Sequence, residues 1–314
     1  MSDAGEPPDV SRPPDVGRPP DVDLAEVEAA VGRSLRDRGD AGLTVLGYGE
    51  ITLVVGWPGD RPTAACKRLP EFPSAAAAAS YATDFGRYLA VLRERGVDPA
   101  PSRFRTVPGP AGGVVGYVVQ PVLPAHTLGP AVLRRAEPDP AHPLVRALCE
   151  LVPGVVDDRT GLDGQVSNWA LVGDGPDARL LYLDVSTPML FDADGRFELD
   201  LGLFLAAYPW LLRRPIGRFV APGVIGAYRD ARHVLVDLTA NLLKERLDAW
   251  VPAFLTAVND VVTPTVTEDE VRSYYRSDAR LWEVMSRLRR ADRWWQATVR
   301  RRTYPFLLPG PVDR

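Results

Sequence analysis

A chain of 314 residues, 46 % of them hydrophobic, holds enough apolar material for one large domain or two lobes around a cleft, which excludes a wholly disordered protein. A formal net charge of −4 and a pI near 5.5 provide no overall basic field, so nucleic acid and anionic membrane are not the expected partners; small molecules and proteins remain. Only two cysteines occur, Cys66 and Cys149, without CxxC spacing or a histidine cluster, which excludes a disulfide framework or zinc site and fits a reducing cytoplasm.

In chain order, Pro-Pro-Asp-Val recurs at Pro7, Pro13 and Pro19, and residues 1–22 read as a solvated, polyproline-like tail. This start is neither a secretory signal nor a myristoylation site. Leu24, Val27, Val31 and Leu35 predict a helix from Leu24 to Arg36. Leu43 to Val55 is β-like, broken at Gly47-Tyr48-Gly49, and Thr63 to Leu69 follows as a third strand after Trp57-Pro58-Gly59-Asp60. A long helix is predicted over Ala75–Arg95 and a valine-rich strand over Val114–Val122. Residues 23–123 thus form a β-rich N-lobe and residues 124–314 a helical C-lobe. In the latter, Trp169–Val172 and Leu180–Val185 read as a hairpin turned at Gly173-Asp174-Gly175-Pro176. Further helices are expected over Leu199–Leu212, Ala227–Lys244, Trp250–Val261, Glu268–Tyr275 and Asp278–Arg302. The Leu199–Leu212 run is shorter than the roughly 20 residues of a membrane span and reads as a buried helix. The expected class is α+β, in two lobes.

The basic residues are almost all arginine, and the only lysines are Lys67 and Lys244. A site that needs a compact, rotatable ammonium does not accept arginine's planar fork, so each lysine is a candidate. Strand alternation puts Lys67 on one face with Ala65 and Leu69, where it must either snorkel to solvent or meet an anion. On the following helix Asp84 shares a face with Tyr81 and Tyr88, beside the stripe Phe85, Tyr88, Leu89, Leu92; it reads either as the partner of Lys67 or as a helix-surface charge. Glu94 falls on a flank with Arg87. In the loop Leu162-Asp163-Gly164-Gln165-Val166-Ser167-Asn168-Trp169, Asp163 and Asn168 offer a carboxylate to orient or deprotonate a hydroxyl and an oxygen ligand for Mg²⁺. Asp184 ends the strand Leu180–Leu183, and a hairpin of this span returns it beside Asn168; the plainer reading is a turn cap before Pro188.

The order of lysine strand, acidic helix, D-x-x-x-x-N loop, hairpin and strand-end aspartate resembles the protein-kinase-like superfamily, and within it the aminoglycoside and choline phosphotransferase branch. The resemblance covers roughly Leu43 to Leu203. It implies ATP and Mg²⁺ as cofactors, with Lys67 on the α/β-phosphates, Asp84 paired to it, Asp163 as catalytic base, and Asn168 and Asp184 on the metal. It further implies nucleotide contacts from Gly47 and Gly49, and an adenine-binding hinge at Val119, Gln120 and Val122. The expected activity is phosphorylation of a hydroxyl on a small-molecule acceptor. The alternatives are a catalytically weak kinase-like module that binds nucleotide or a protein partner in a regulatory role, and an unrelated α+β fold with coincident spacings.

The departures are specific. The glycine turn Gly47-Tyr48-Gly49-Glu50-Ile51 lacks the third glycine of G-x-G-x-x-G, Gly161 stands where the family has histidine, and Val185 follows Asp184 in place of an aromatic residue and glycine. No Walker A, A-P-E or G-x-S-x-G motif occurs, and the three histidines are scattered. Asp200 reads as a helix N-cap or a brace of the catalytic loop, and Asp192-Ala193-Asp194-Gly195 as a tight turn. In the last helix Leu281, Val284, Leu288, Ala291 and Trp295 share a face, and the surrounding arginines read as a solvated face against acidic helices.

Overall fold

The structure, a computed structural model, describes residues 17–37, 42–48, 52–173, 175, 178–205, 208, 210–301, 304 and 306. The proline-rich repeats up to residue 16, and Gly49 of the glycine turn, lie outside the described residues.

Helix α1 (Leu24–Asp37) buries Leu24, Val27, Val31 and Leu35, the stripe expected from spacing, against one face of a sheet. The N-lobe continues with strands β1 (Thr44–Tyr48), β2 (Leu53–Trp57) and β3 (Ala64–Phe72), helix α2 (Ala75–Glu94), and strands β4 (Asp98–Pro99), β5 (Arg103–Pro108) and β6 (Val114–Pro121). Five of these strands make an antiparallel sheet in the order β1-β2-β3-β6-β5. Cys66 of β3 lies between Val55 and Val119 and is buried on the α1 side, so alternation turns Lys67 to the opposite face, where Leu69 joins the main core. Arg68, back on the α1 side, donates to both carboxylate oxygens of Glu28 at 2.8 Å and 2.8 Å, and the Tyr117 hydroxyl adds a 2.6 Å bond to Glu28. This buried bidentate pair clamps α1 to the sheet.

The C-lobe contains α3 (Gly129–Leu133), α4 (Pro143–Val155), strands β7 (Trp169–Val172) and β8 (Arg179–Tyr182), and helices α5 (Leu201–Leu205), α6 (Trp210–Pro215), α7 (Ala221–Ala227), α8 (Ala231–Lys244), α9 (Val251–Asn259) and α10 (Glu268–Thr298). Buried residues of α4 (Leu148, Val152), α8 (Leu235, Leu238, Leu242) and α9 (Phe254, Val258) form one continuous core with Tyr88 and Leu92 of α2, so apolar packing joins the two lobes. The architecture is α+β, with a small antiparallel N-lobe and a larger helical C-lobe. Among the described residues no helix is long and apolar enough to cross a membrane.

Three expectations change. The single helix over Leu199–Leu212 is instead α5, a bend at Tyr208, and α6, because Pro209 offers no amide hydrogen and disfavours helical backbone at the residue before it. The two helices expected over Glu268–Tyr275 and Asp278–Arg302 are one 31-residue helix, since neither glycine nor proline interrupts Arg276-Ser277. The C-lobe hairpin gains a third strand: β4 pairs with β8 in parallel, and the Ala100 amide donates to Tyr182 O at 2.8 Å. Strand β5 carries no clear alternation in sequence because it is a half-exposed edge strand with Arg103 and Arg105 along it.

Candidate functional site

The site is assembled by two loops that the hairpin holds side by side. Trp169, fully buried at the start of β7, donates its indole N–H to Gly164 O at 3.2 Å, and the Leu183 amide donates to Asn168 O at 2.8 Å. The first bond fixes the loop that carries Asp163. The second sets the end of β8, and with it Asp184, beside Asn168. Helix α8 closes the other side so tightly that a β-carbon on Gly164 would lie 2.8 Å from Val234 Cγ1.

Lys67 reaches into this space from β3. Its ammonium lies 2.6 Å from Asp184 Oδ1, and the Ser186 hydroxyl donates to the same oxygen at 3.0 Å. Burial pushes the Asp184 carboxyl up, but the Lys67 cation and the Ser186 hydrogen bonds outweigh it and hold the group below the usual carboxylate range. Asp163 differs. Burial raises it first, the negative charges of Asp237 and Asp184 raise it further, and the carboxyl is pushed up to about 8 although the Gln165 amide donates to its Oδ1 at 3.2 Å. Asn168 Nδ2 donates to the Asp163 backbone oxygen at 3.3 Å, which orients the amide. Two acids in one cleft thus sit in opposite protonation regimes, a common mark of a functional site.

The expected Lys67–Asp84 pairing is not what the structure shows. Asp84 makes its ion pair with Arg87, one turn along α2 at 3.5 Å, and Arg87 in turn reaches Glu198 at 2.6 Å. Burial raises the Asp84 carboxyl, with Arg87 opposing that rise and Glu198 adding to it. The reason is proximity: Asp184 already neutralises the Lys67 ammonium, and the guanidinium nearest to Asp84 is on its own helix. The flanking tyrosines of the same α2 face do reach the site's framework, Tyr81 donating to Ser186 O at 2.8 Å and Tyr88 to Gly161 O at 3.1 Å. Gly161 is closely surrounded: a β-carbon there would lie 3.0 Å from Tyr228 O and 3.2 Å from Met189 Cβ.

At the segment predicted to be a hinge, Val119 is buried in the sheet between Cys66 and Arg103. The Val122 amide donates to Thr63 O at 2.9 Å, which removes that donor from an adenine contact. The Gln120 side chain donates to Ser102 Oγ and to Leu183 O, both at 2.9 Å, and so ties β6 to the Asp184 loop. Gly47 lies in β1 at a register shift against β2, opposite Val54, whose other neighbour is Lys67, and its partner Gly49 is outside the described residues.

Sequence reasoning missed a second layer. Gln165 donates to Asp237 Oδ2 at 3.1 Å and accepts from Asn241 Nδ2 at 3.1 Å, and Tyr274 of α10 also hydrogen-bonds Asp237. Burial raises the Asp237 carboxyl, and the hydrogen bonds from Gln165 and Tyr274 oppose the rise. The signal was present: Asp237 and Asn241 are polar residues on the inward stripe of α8, among Val234, Leu238 and Leu242. Two buried polar groups at helical spacing on an apolar face demand partners.

The fit to magnesium follows from the donor set. Among the described residues no group of three or more His, Cys, Asp or Glu side chains is arranged to hold a metal. A carboxylate from Asp184 and an amide oxygen from Asn168 are hard ligands that suit Mg²⁺ only when phosphate oxygens and water complete the shell, which is how magnesium is commonly held with nucleotides.

No curated protein matches this chain. A solved structure of WaaP in complex with acyl carrier protein is similar to it at 17 % identity and a TM-score of 0.35, covering 86 % of this chain and 98 % of that one, a likeness too low to support argument. The model of a family of unknown function, DUF6206, matches residues 26–293, and the chain belongs to that family.

Proposed function

We propose that this protein is an ATP- and Mg²⁺-dependent phosphotransferase acting on a hydroxyl of a small molecule. The observation that carries the reading is the Lys67–Asp184 contact at 2.6 Å with Asn168 and Asp163 held beside it by the hairpin. Asp184 and Asn168 would hold magnesium, which would supply neutralisation of the charge on the transferred phosphoryl group. Lys67 would exchange Asp184 for phosphate oxygens, a move that its flexible stem allows. Asp163 would accept the proton of the acceptor hydroxyl, and a raised carboxyl is suited to that exchange near neutral pH once neighbouring positive charge draws it down from about 8. Gln165 and Asn168 would hold the loop and its backbone fixed during transfer. The two thiols, Cys66 and Cys149, are buried and pushed up to about 12, which fits unreactive cysteines in a reducing cytoplasm.

A second reading, a nucleotide-binding module with a regulatory role, draws on the same raised Asp163, which in the free protein holds its proton at neutral pH and is then no base. A melting experiment with ATP and Mg²⁺ tests both. Saturation near 100 times the dissociation constant stabilises by about 2.7 kcal/mol. A shift that disappears in Lys67→Ala and Asp184→Ala supports nucleotide binding; no shift in the native chain sinks both readings. Phosphate transfer to a panel of hydroxylated acceptors, lost in Asp163→Asn while binding persists, separates enzyme from regulator.

A further inference from the structure

The outer half of α10 turns its apolar face to solvent. Spacing places Leu281, Val284, Leu288, Ala291 and Trp295 on one stripe, yet Leu281, Val284 and Trp295 are 43 %, 53 % and 47 % exposed. The buried residues of this segment are instead polar, Arg289 and Asp292. Trp294 and Val299 are exposed as well, so five of the eight large hydrophobic side chains exposed among the described residues fall between Leu281 and Val299. That stretch spans about 27 Å of helix at 1.5 Å per residue.

The charge beside the stripe is not that of the chain. Between Arg276 and Arg301 there are eight arginines and three acids, against a net −4 for the whole protein. Arg276, Arg280 and Arg287, all exposed, line one edge together with Trp294, and the i, i+4 ion pair from Arg287 to Glu283 is open to solvent. The global charge that argued against membranes conceals a local basic, tryptophan-bearing ridge.

We propose that this face of α10 docks on an anionic membrane surface, with the helix lying in the plane of the interface. An exposed apolar stripe with adjacent tryptophans and an arginine edge is the pattern that inserts between headgroups, where indole rings settle and guanidinium groups meet lipid phosphates. A second copy is the poorer occupant. A two-fold axis across the stripe would set the arginine edge of one chain against that of the other, with Glu283 as the single acid exposed there to offset it. The proposal does not rest on the catalytic reading, and its test does not use activity.

The test is flotation of the full chain with vesicles of phosphatidylcholine and phosphatidylglycerol, beside phosphatidylcholine alone. The expected result is flotation with the anionic vesicles only, weakened by salt, with a blue shift of tryptophan emission. Trp294→Ala with Trp295→Ala should abolish both, and Arg280→Gln with Arg287→Gln should weaken binding about 30-fold, at the usual worth of an arginine near an anionic surface. Unchanged circular dichroism and melting would show that these exposed substitutions leave the fold intact. Three results would overturn the proposal: no flotation with anionic vesicles, flotation that survives loss of both tryptophans, or a solution dimer that dissociates in the tryptophan variant without vesicle binding in the native chain.

Discussion

Replacing Asp163 by asparagine should stabilise this protein at alkaline pH and do little at acid pH. The carboxyl rises from an ordinary 3.8 to about 8, first through burial and then through the charges of Asp237 and Asp184. The native state therefore holds the proton more tightly than the unfolded chain. Stability is full below about pH 4, declines as pH climbs towards 8, and carries the whole cost of the buried charge above that. At about 1.4 kcal/mol per pKa unit the limit is near 6 kcal/mol, and the effective dielectric of a protein site, well above that of a dry interior, reduces this to about 2–3 kcal/mol. Asparagine keeps the acceptor for the Gln165 amide and removes the charge. Thermal melting of both proteins across pH 4 to 9 should show a gap close to zero at the acid end, growing to roughly 4 °C or more in favour of Asp163→Asn at the alkaline end. A gap independent of pH, or one that favours the native protein more as pH rises, would refute the electrostatic account of the site.

Other substitutions probe separate links. Lys67→Ala leaves Asp184 beside Ser186 without its cation; the carboxyl should rise, with a loss of about 1–3 kcal/mol at neutral pH that shrinks on acidification, readable by urea unfolding at two pH values. Arg68→Ala strips the buried Glu28 of its bidentate partner and should cost about 3–5 kcal/mol, whereas Arg68→Met combined with Glu28→Leu should recover most of that; equal losses in the single and double variants would argue against the clamp. Gln165→Leu leaves Asp237 and Asn241 short of partners and should lower stability by about 1–3 kcal/mol while loosening the Asp163 loop, seen as faster amide exchange over 163–168.

Local regularities were legible from residues alone. The Leu24, Val27, Val31, Leu35 stripe named the face that α1 buries, alternation named the face of β3 that carries Lys67, and the spacing from Asn168 to Asp184 identified one hairpin. Each depends on neighbours within a few residues or on a single turn. What the ammonium of Lys67 touches is decided across a separation of 117 residues, where strand direction and hairpin length bring Asp184 nearer than Asp84, and no periodicity encodes that choice. The same holds for Gln165 between Asp237 and Asn241, at separations of 72 and 76 residues. In α10 the limit is plainest. The heptad-like spacing identified the apolar face, but only the tertiary structure decided that α8 covers the Tyr274 end and leaves the Leu281–Val299 face to solvent, because amphipathicity defines a face and the surrounding fold determines what lies against it.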